Sequence, residues 1–229
     1  MLPIHDTESN RYSFFPFITF LLIAVNILIH MLVVFTLEGN FWTFLMLYGY
    51  TPTLIVDARG PGVLSNFSSI FLHSGWLHLL GNMLPLWVFG RRVEDACGPW
   101  RFLAFYLLAG TSANLLFTLV QYDSPIPGIG ASGAVFGVMG AYLLLYPSGR
   151  IRTFVTFIPF VPMLPRIRAV WVVLYFVGIQ IIPAVDILLR EADYSVNHWA
   201  HLGGFFSAIF ILLFIRPEAY ARYVSDTLV

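Results

Sequence analysis

The chain has 229 residues, 59% of them hydrophobic and 10% charged, with a formal net charge of zero and no lysine. A soluble domain carries about 25% charged residues, so an ordinary water-soluble domain is excluded, and no basic patch points to nucleic acid. The single cysteine, Cys97, excludes an internal disulfide and the multi-cysteine zinc motifs. Several apolar runs approach the ~20 residues that cross a bilayer, which predicts an all-α, polytopic membrane protein.

Residues 1–14 read as a short polar tail without the basic start and early apolar run of a cleaved signal, and with acidic Asp6 and Glu8 where a transit peptide avoids them. The first span is expected from Phe15 to about Leu37 and contains His30. A long connection follows, from Glu38 to about Ser69. Its aromatic part, Phe41 to Tyr48, is too short to cross and suits the membrane interface. Asn66-Phe67-Ser68 fits the glycosylation acceptor pattern, a match short enough to arise by chance.

Span two is expected from Ile70 to about Gly90, carrying His73, His78 and Asn82, and ends in a charged turn with Arg91, Arg92, Glu94 and Asp95. Span three runs from about Arg101 to Val120. The linker to Ala131 holds Asp123, Pro125, Pro127 and the first glycines of a Gly-rich stretch. Span four runs from Ser132 to about Tyr146, where Pro147 stops it. A second long linker, Gly149 to Arg168, carries four arginines. Span five is about Ala169 to Leu189, and a polar loop with Arg190, Glu191 and Asp193 leads to span six, about His198 to Ile215. The six-span domain thus covers 15–216, followed by a polar tail at 217–229. No internal repeat is evident, which speaks against a transporter built from duplicated halves.

Six spans put ten arginines on one side (11, 91, 92, 101, 150, 152, 166, 168, 216 and 222) and only Arg59 and Arg190 on the other. That positive-inside bias predicts cytoplasmic termini. Spans two, four and six then all start at the outer face, which brings His78 and Asn82, Ser132, and His201 to similar depth. Span four, at ~14 residues of ~1.5 Å each, is only ~21 Å long against a ~30 Å hydrocarbon core. Ser132 should therefore lie below the outer surface, with the glycine-rich linker lining a protected or wet cavity.

The densest motif is Gly128 to Gly140. Gly130 and Gly133 flank Ser132 where the backbone must turn sharply and admit a partner. Gly133, Gly137 and Gly140 then recur at helical spacing as a face for close packing. Ser132, at the mouth of a helix whose first N–H groups lack partners, can serve as a nucleophile beside an oxyanion site or simply as a cap. Ala200, Gly204 and Ala208 form a small-residue face on span six that would press His201 towards Ser132. His78 and Asn82, four residues apart on one face, can both donate hydrogen bonds to a developing oxyanion, or act as polar glue between helices. Asp186 is a candidate third member orienting His201. His198 shares the face of His201 and could meet water or the oxyanion region. His73 suits the interface, His30 and Cys97 structural or inert roles. A metal site from His73, His78, His198 and His201 lacks both an HExxH pattern and nearby carboxylates.

This constellation resembles the rhomboid intramembrane serine proteases over residues 70–210, roughly three-fifths of the chain. Four signatures carry the resemblance: GxSG at Gly130–Gly133, Ala200-His201 followed by small residues, His78-x-x-x-Asn82, and Glu94-x-x-x-Gly98. The resemblance implies a six-helix rhomboid-like bundle that needs no cofactor. It implies Ser132 as nucleophile and His201 as general base, a dyad without a triad. Asn82, His78 and the Ser132 N–H would form the oxyanion site, and Phe136 would stack on the imidazole. The first outer loop departs from some members in lacking a Trp-Arg pair, because Thr43 follows Trp42. The implied substrates are single-span or membrane-anchored proteins, entering laterally near span five and cut near the outer face at helices weakened by Gly, Pro or polar residues. A bacterial inner membrane is the expected location. The alternatives are a non-catalytic relative that binds membrane clients, against which the presence of both Ser132 and His201 stands, and a channel or transporter, which would need a polar stripe across the whole bilayer.

Overall fold

A computed structural model describes residues 1–9, 15–37, 40–60, 62–156, 162–190 and 196–215. The predicted tail at 217–229, Arg11, and the loop residues Glu191 and Asp193 lie outside the described residues. The described chain is mostly helical. Helix α1 spans Phe17–Thr36, and α2, Phe41–Tyr48, coincides with the short aromatic segment. The rest of the first connection folds as α3 (Pro52–Val56), α4 (Val63–Ser68) and a 3-10 turn at Ser69–Phe71. Helix α5 (Trp76–Pro85) passes through a π-helical segment, Leu86–Gly90, into α6 (Arg91–Cys97). A proline inside a helix removes one backbone donor and clashes with the preceding turn, and Pro85 stands where the wider turn begins. Helix α7 runs Pro99–Val120, α8 Ser132–Leu145, α9 Ala169–Arg190 and α10 His198–Ile215.

Among the described residues, four helices are long and apolar enough to cross a membrane: α1, α7, α9 and α10. Helix α8 is shorter, at 14 residues, and is packed within the bundle, with eleven of its residues from Gly133 to Leu145 buried. The α5–α6 run makes a fifth long helical passage interrupted by the π turn. The core lies where α7, α8 and the π segment meet, with Phe89, Phe102, Phe105, Tyr106, Met139 and Tyr142 fully buried. Large apolar side chains such as Leu77, Ile182 and Phe214 point outward instead, as lipid-facing positions do.

Two sets of contacts define opposite ends. At one, β1 (Leu2–Asp6) pairs antiparallel with β2 (Arg150–Thr156). Strand β2 also pairs with β3 (Pro162–Met163) and β4 (Arg166–Arg168). Asp6, fully buried, accepts from Arg91 Nη2 and Arg92 Nε and ties this sheet to the start of α6. At the other end, Tyr50 and Gly128 exchange backbone hydrogen bonds of 3.0 and 2.8 Å, and Thr53 N–H donates to Ser124. Asn66 there donates to Thr111 and accepts from Asn114 on α7. The glycosylation-like Asn66 is thus engaged in interhelical bonding.

Two expectations are corrected. The membrane body is all-α, but a small antiparallel sheet is added to it, using residues 2–6 of the predicted tail and both arms of the 149–168 linker. Span two begins as a helix only at Trp76, because residues 72–75 are non-helical. His73 therefore precedes the helix and is buried, 2% exposed, with its ring 5.0 Å from His78 and 6.4 Å from His30.

Candidate active site

Helix α8 is wedged between α7 and α10 because its glycine face leaves room for backbone. An ideal Cβ built on Gly133 or Gly137 would fall 2.4 or 2.6 Å from the Cβ of Ala113 or Ala109 on α7, and one on Gly140 would fall 2.9 Å from Ala208 on α10. The contact is closest at Gly204, where a Cβ would sit 1.9 Å from the carbonyl oxygen of Gly133. This approach joins the two small-residue faces predicted to meet.

It also joins the two polar groups. His201 Nε2 lies 2.7 Å from Ser132 Oγ, and His201 is 8% exposed. One turn below Ser132, Phe136 stacks on the imidazole, with centroids 4.6 Å apart and planes 8° from parallel. Ser132 is the first residue of α8. The first helical acceptor, Ala131 O, takes its bond from Val135 N–H, so the N–H groups of Ser132 and Gly133 have no acceptor within the helix.

Gly130 completes the turn into Ser132 at φ +122°, a left-handed conformation that favours glycine. A Cβ there would also fall 2.7 Å from His78 Nε2 and 3.6 Å from Ser132 Oγ, so the missing side chain is what admits the His78 ring beside the serine. His78 Nδ1 is 3.1 Å from Ser74 Oγ. Asn82, 4% exposed, lies one turn further along α5 and donates from Nδ2 to the carbonyl of His78 at 3.1 Å. Ser132, His201, Phe136, His78, Gly130, Gly133 and Gly204 thus come together, with Asn82 beneath His78.

Asp186 is not the group that holds His201. His201 Nδ1 is 2.9 Å from Gln180 Oε1 on α9, and His198 Nδ1 reaches the same oxygen at 2.6 Å. Gln180, 6% exposed, escaped the sequence reading, although an uncharged amide within an apolar span was a signal of its own. The Glu94-x-x-x-Gly98 signature serves elsewhere. Glu94 is fully buried and accepts from the backbone N–H groups of Ile18 and Thr19 and from Thr19 Oγ1, capping the start of α1. His30 stacks edge-on against Trp76, and Cys97 is buried at the end of α6. Among the described residues, no three His, Cys, Asp or Glu side chains form a group that could hold a metal ion.

A hydroxyl at hydrogen-bond distance from an imidazole, with backbone donors alongside that have no acceptor within their own helix, is equipped for nucleophilic acyl transfer. The family model described as Rhomboid domain matches residues 61–218. RHOMBOID-like protein 5 of Arabidopsis thaliana is 30% identical over 153 residues, covering 66% of this chain and 44% of that protein. Rhomboid protease GluP of Bacillus subtilis is 44% identical over 81 residues, 35% of this chain and 15% of its own length. Rhomboid protein 1, mitochondrial, of Saccharomyces cerevisiae is 34% identical over 118 residues, 50% of this chain and 33% of its own length. The chain spans less than half the length of each of these relatives.

Proposed function

Because this chain belongs to the rhomboid family, we propose that it is an intramembrane serine endopeptidase that cleaves membrane-anchored proteins near the outer face of the bilayer through a Ser132–His201 dyad. The observation that carries the proposal is the 2.7 Å approach of His201 Nε2 to Ser132 Oγ.

Ser132 Oγ attacks the scissile carbonyl as His201 Nε2 takes its proton. The negative charge that develops on the carbonyl oxygen is met by the Ser132 N–H and by donors from His78 and Asn82; one such donor is worth about 10²–10³ in rate. His201 then passes the proton to the leaving amine. Water, activated by the same imidazole, attacks the acyl-enzyme and frees Ser132. Phe136 holds the ring plane throughout. A helical substrate hides its carbonyls in its own hydrogen bonds, so segments weakened by Gly, Pro or polar residues are the ones cut.

The chain is an integral membrane protein, with helices long and apolar enough to span. We assign it six spans within 15–216, flanked by cytoplasmic segments at 1–14 and 217–229. The gathering of Asp6, Arg91, Arg92 and β2 at one end of the bundle supports that count, as does the joining of the 40–69 and 121–131 connections at the other. The host membrane that best suits the chain is a bacterial inner membrane.

Reaction with a fluorophosphonate probe tests the proposal. Folded protein in nanodiscs is expected to label, and Ser132→Ala and His201→Ala to lose at least about 10³-fold in labelling rate, in line with the loss of a catalytic serine or histidine. Folded wild-type protein that fails to label with a probe known to reach the bilayer interior overturns it in favour of a client-binding role.

A further inference from the structure

We infer that Gln180 is the positioning residue of this site: its amide fixes the tautomer and orientation of His201 so that Nε2 can only accept the serine proton. The inference rests on the proteolytic reading above.

Its basis is the direction in which the hydrogen bonds must run. Gln180 Nε2 lies 3.2 Å from the carbonyl oxygen of Phe176, one turn earlier on α9. A carbonyl can only accept, so the amide nitrogen faces Phe176 and the amide oxygen faces the imidazoles. That oxygen is 2.9 Å from His201 Nδ1 and 2.6 Å from His198 Nδ1. An amide oxygen has two lone pairs and no proton, so both imidazoles carry their proton on Nδ1 and donate it to Gln180. A neutral imidazole has one N–H, which leaves His201 Nε2 bare. Its partner at 2.7 Å, Ser132 Oγ, must therefore be the donor.

Four groups thus form a one-way chain, Ser132 to His201 to Gln180 to Phe176, spanning α8, α10 and α9. When Ser132 attacks, its proton moves to Nε2 and the proton on Nδ1 stays in place. The imidazolium then holds Gln180 by a charge-assisted bond, stronger than the neutral one it replaces. Phe136 holds the ring from its face and Gln180 from its edge, so rotation about both side-chain torsions is blocked. Without the amide, the Nδ1–H of a buried imidazole lacks its acceptor and the opposite tautomer competes.

The test measures fluorophosphonate labelling rate against pH for wild type, Gln180→Leu and Gln180→Glu, together with thermal unfolding. Gln180→Leu keeps the volume and removes the acceptor. A loss of about tenfold to a hundredfold is expected, short of the ~10⁴ caused by a wrong tautomer in a serine protease triad. Gln180→Glu keeps the acceptor and adds charge. Labelling near the wild-type rate is expected, with the acid limb of the profile moved up by about one pH unit or more, since an adjacent carboxylate favours the imidazolium. Among the described residues, the other titratable groups facing His201 are His198 on its own helix and His78 from α5. The upward shift must persist in a His198→Ala background, while His78 is common to every variant.

Labelling of folded Gln180→Leu at the wild-type rate overturns the inference, and so does a Gln180→Glu profile with an unmoved acid limb. If Gln180→Leu does not fold, the Gln180→Glu profile decides alone. Wild-type labelling that Ser132→Ala leaves intact is a different failure: it removes the proteolytic reading, and this inference with it.

Discussion

Gly204 and Gly178 are both helical glycines facing very different surroundings, and the contrast shows where a single methyl group matters. A Cβ on Gly204 would stand 1.9 Å from the Gly133 carbonyl, a main-chain atom that cannot swing aside, whereas one on Gly178 meets nothing within 4 Å. Overpacking typically costs about 1–3 kcal/mol, occasionally more. Here the strain falls on the residue next to Ser132, so Gly204→Ala should lower both the unfolding temperature and the labelling rate. Gly178→Ala should leave labelling unchanged and stabilise α9 by up to about 1 kcal/mol through helix propensity. Equal behaviour of the two variants in unfolding and labelling assays would contradict the packing account. At this scale the sequence was informative where a residue sat in a local pattern. Gly130, Ser132 and Gly133 are neighbours, and Ala200, Gly204 and Ala208 share a face. Gln180 had no such pattern, because its partners lie 18 and 21 residues away on another helix. Asp186 drew attention through its charge, but it is the amide two turns earlier that meets His201.

The start of α1 is an element whose stability depends on a residue far along the chain. No side chain of its own caps it, and Pro16 precedes it. Glu94, 75 and 76 residues later, accepts from Thr19 N–H at 2.7 Å and Ile18 N–H at 2.8 Å. Glu94→Ala would strand those two backbone donors and the Thr19 hydroxyl in a fully buried place. Each unsatisfied group costs about 1–3 kcal/mol, so a loss of several kcal/mol and a marked drop in unfolding temperature are expected. Glu94→Gln, which keeps one carbonyl oxygen, should fall between. If α1 unfolds no earlier in Glu94→Ala than in wild type, by hydrogen exchange of residues 18–22, the cap is not what holds it. The helices themselves were largely legible, since long apolar runs fix α1 and α7 to α10 within a few residues. Strand β2 was less so. Arg150-Ile151-Arg152-Thr153-Phe154-Val155-Thr156 alternates at the period of a strand, and Ile151, Thr153 and Val155 do face inward. Its arginines drew the reading to membrane sidedness, and its partner β1 is more than 140 residues away.

Across the whole molecule, the sheet closes the bundle at the end opposite the Tyr50–Gly128 bridge, held by the packing of Ile151 into the core and by an ionic tie. Asp6 carries two guanidinium partners, Arg91 and Arg92, and removing one member of a buried ion pair typically costs about 3–5 kcal/mol. His5 stands beside this pair and makes the closure sensitive to acid. Its Nδ1 is 2.8 Å from Arg91 Nη2; a guanidinium only donates, so the imidazole must accept there, which its neutral form does. Partial burial, and next the positive charge of Arg91, hold its pKa below the ordinary 6.5. Above pH 6.5 the imidazole is neutral in both folded and unfolded chains, and the contact with Arg91 is intact. As pH falls below 6.5 the unfolded chain takes up a proton that the folded chain resists, so the unfolded state gains. His5→Gln keeps a polar side chain but cannot titrate. It should be less stable than wild type at pH 7.5, and the gap should narrow towards pH 5, where wild type alone pays for its protonated imidazole. Thermal unfolding of the two proteins in the same detergent at both pH values measures this directly. A gap that stays constant or widens in acid would mean that His5 does not couple the sheet to Arg91. Because β1 and the Ser132 site lie at opposite ends of the bundle, the labelling rate of folded His5→Gln should match wild type at every pH.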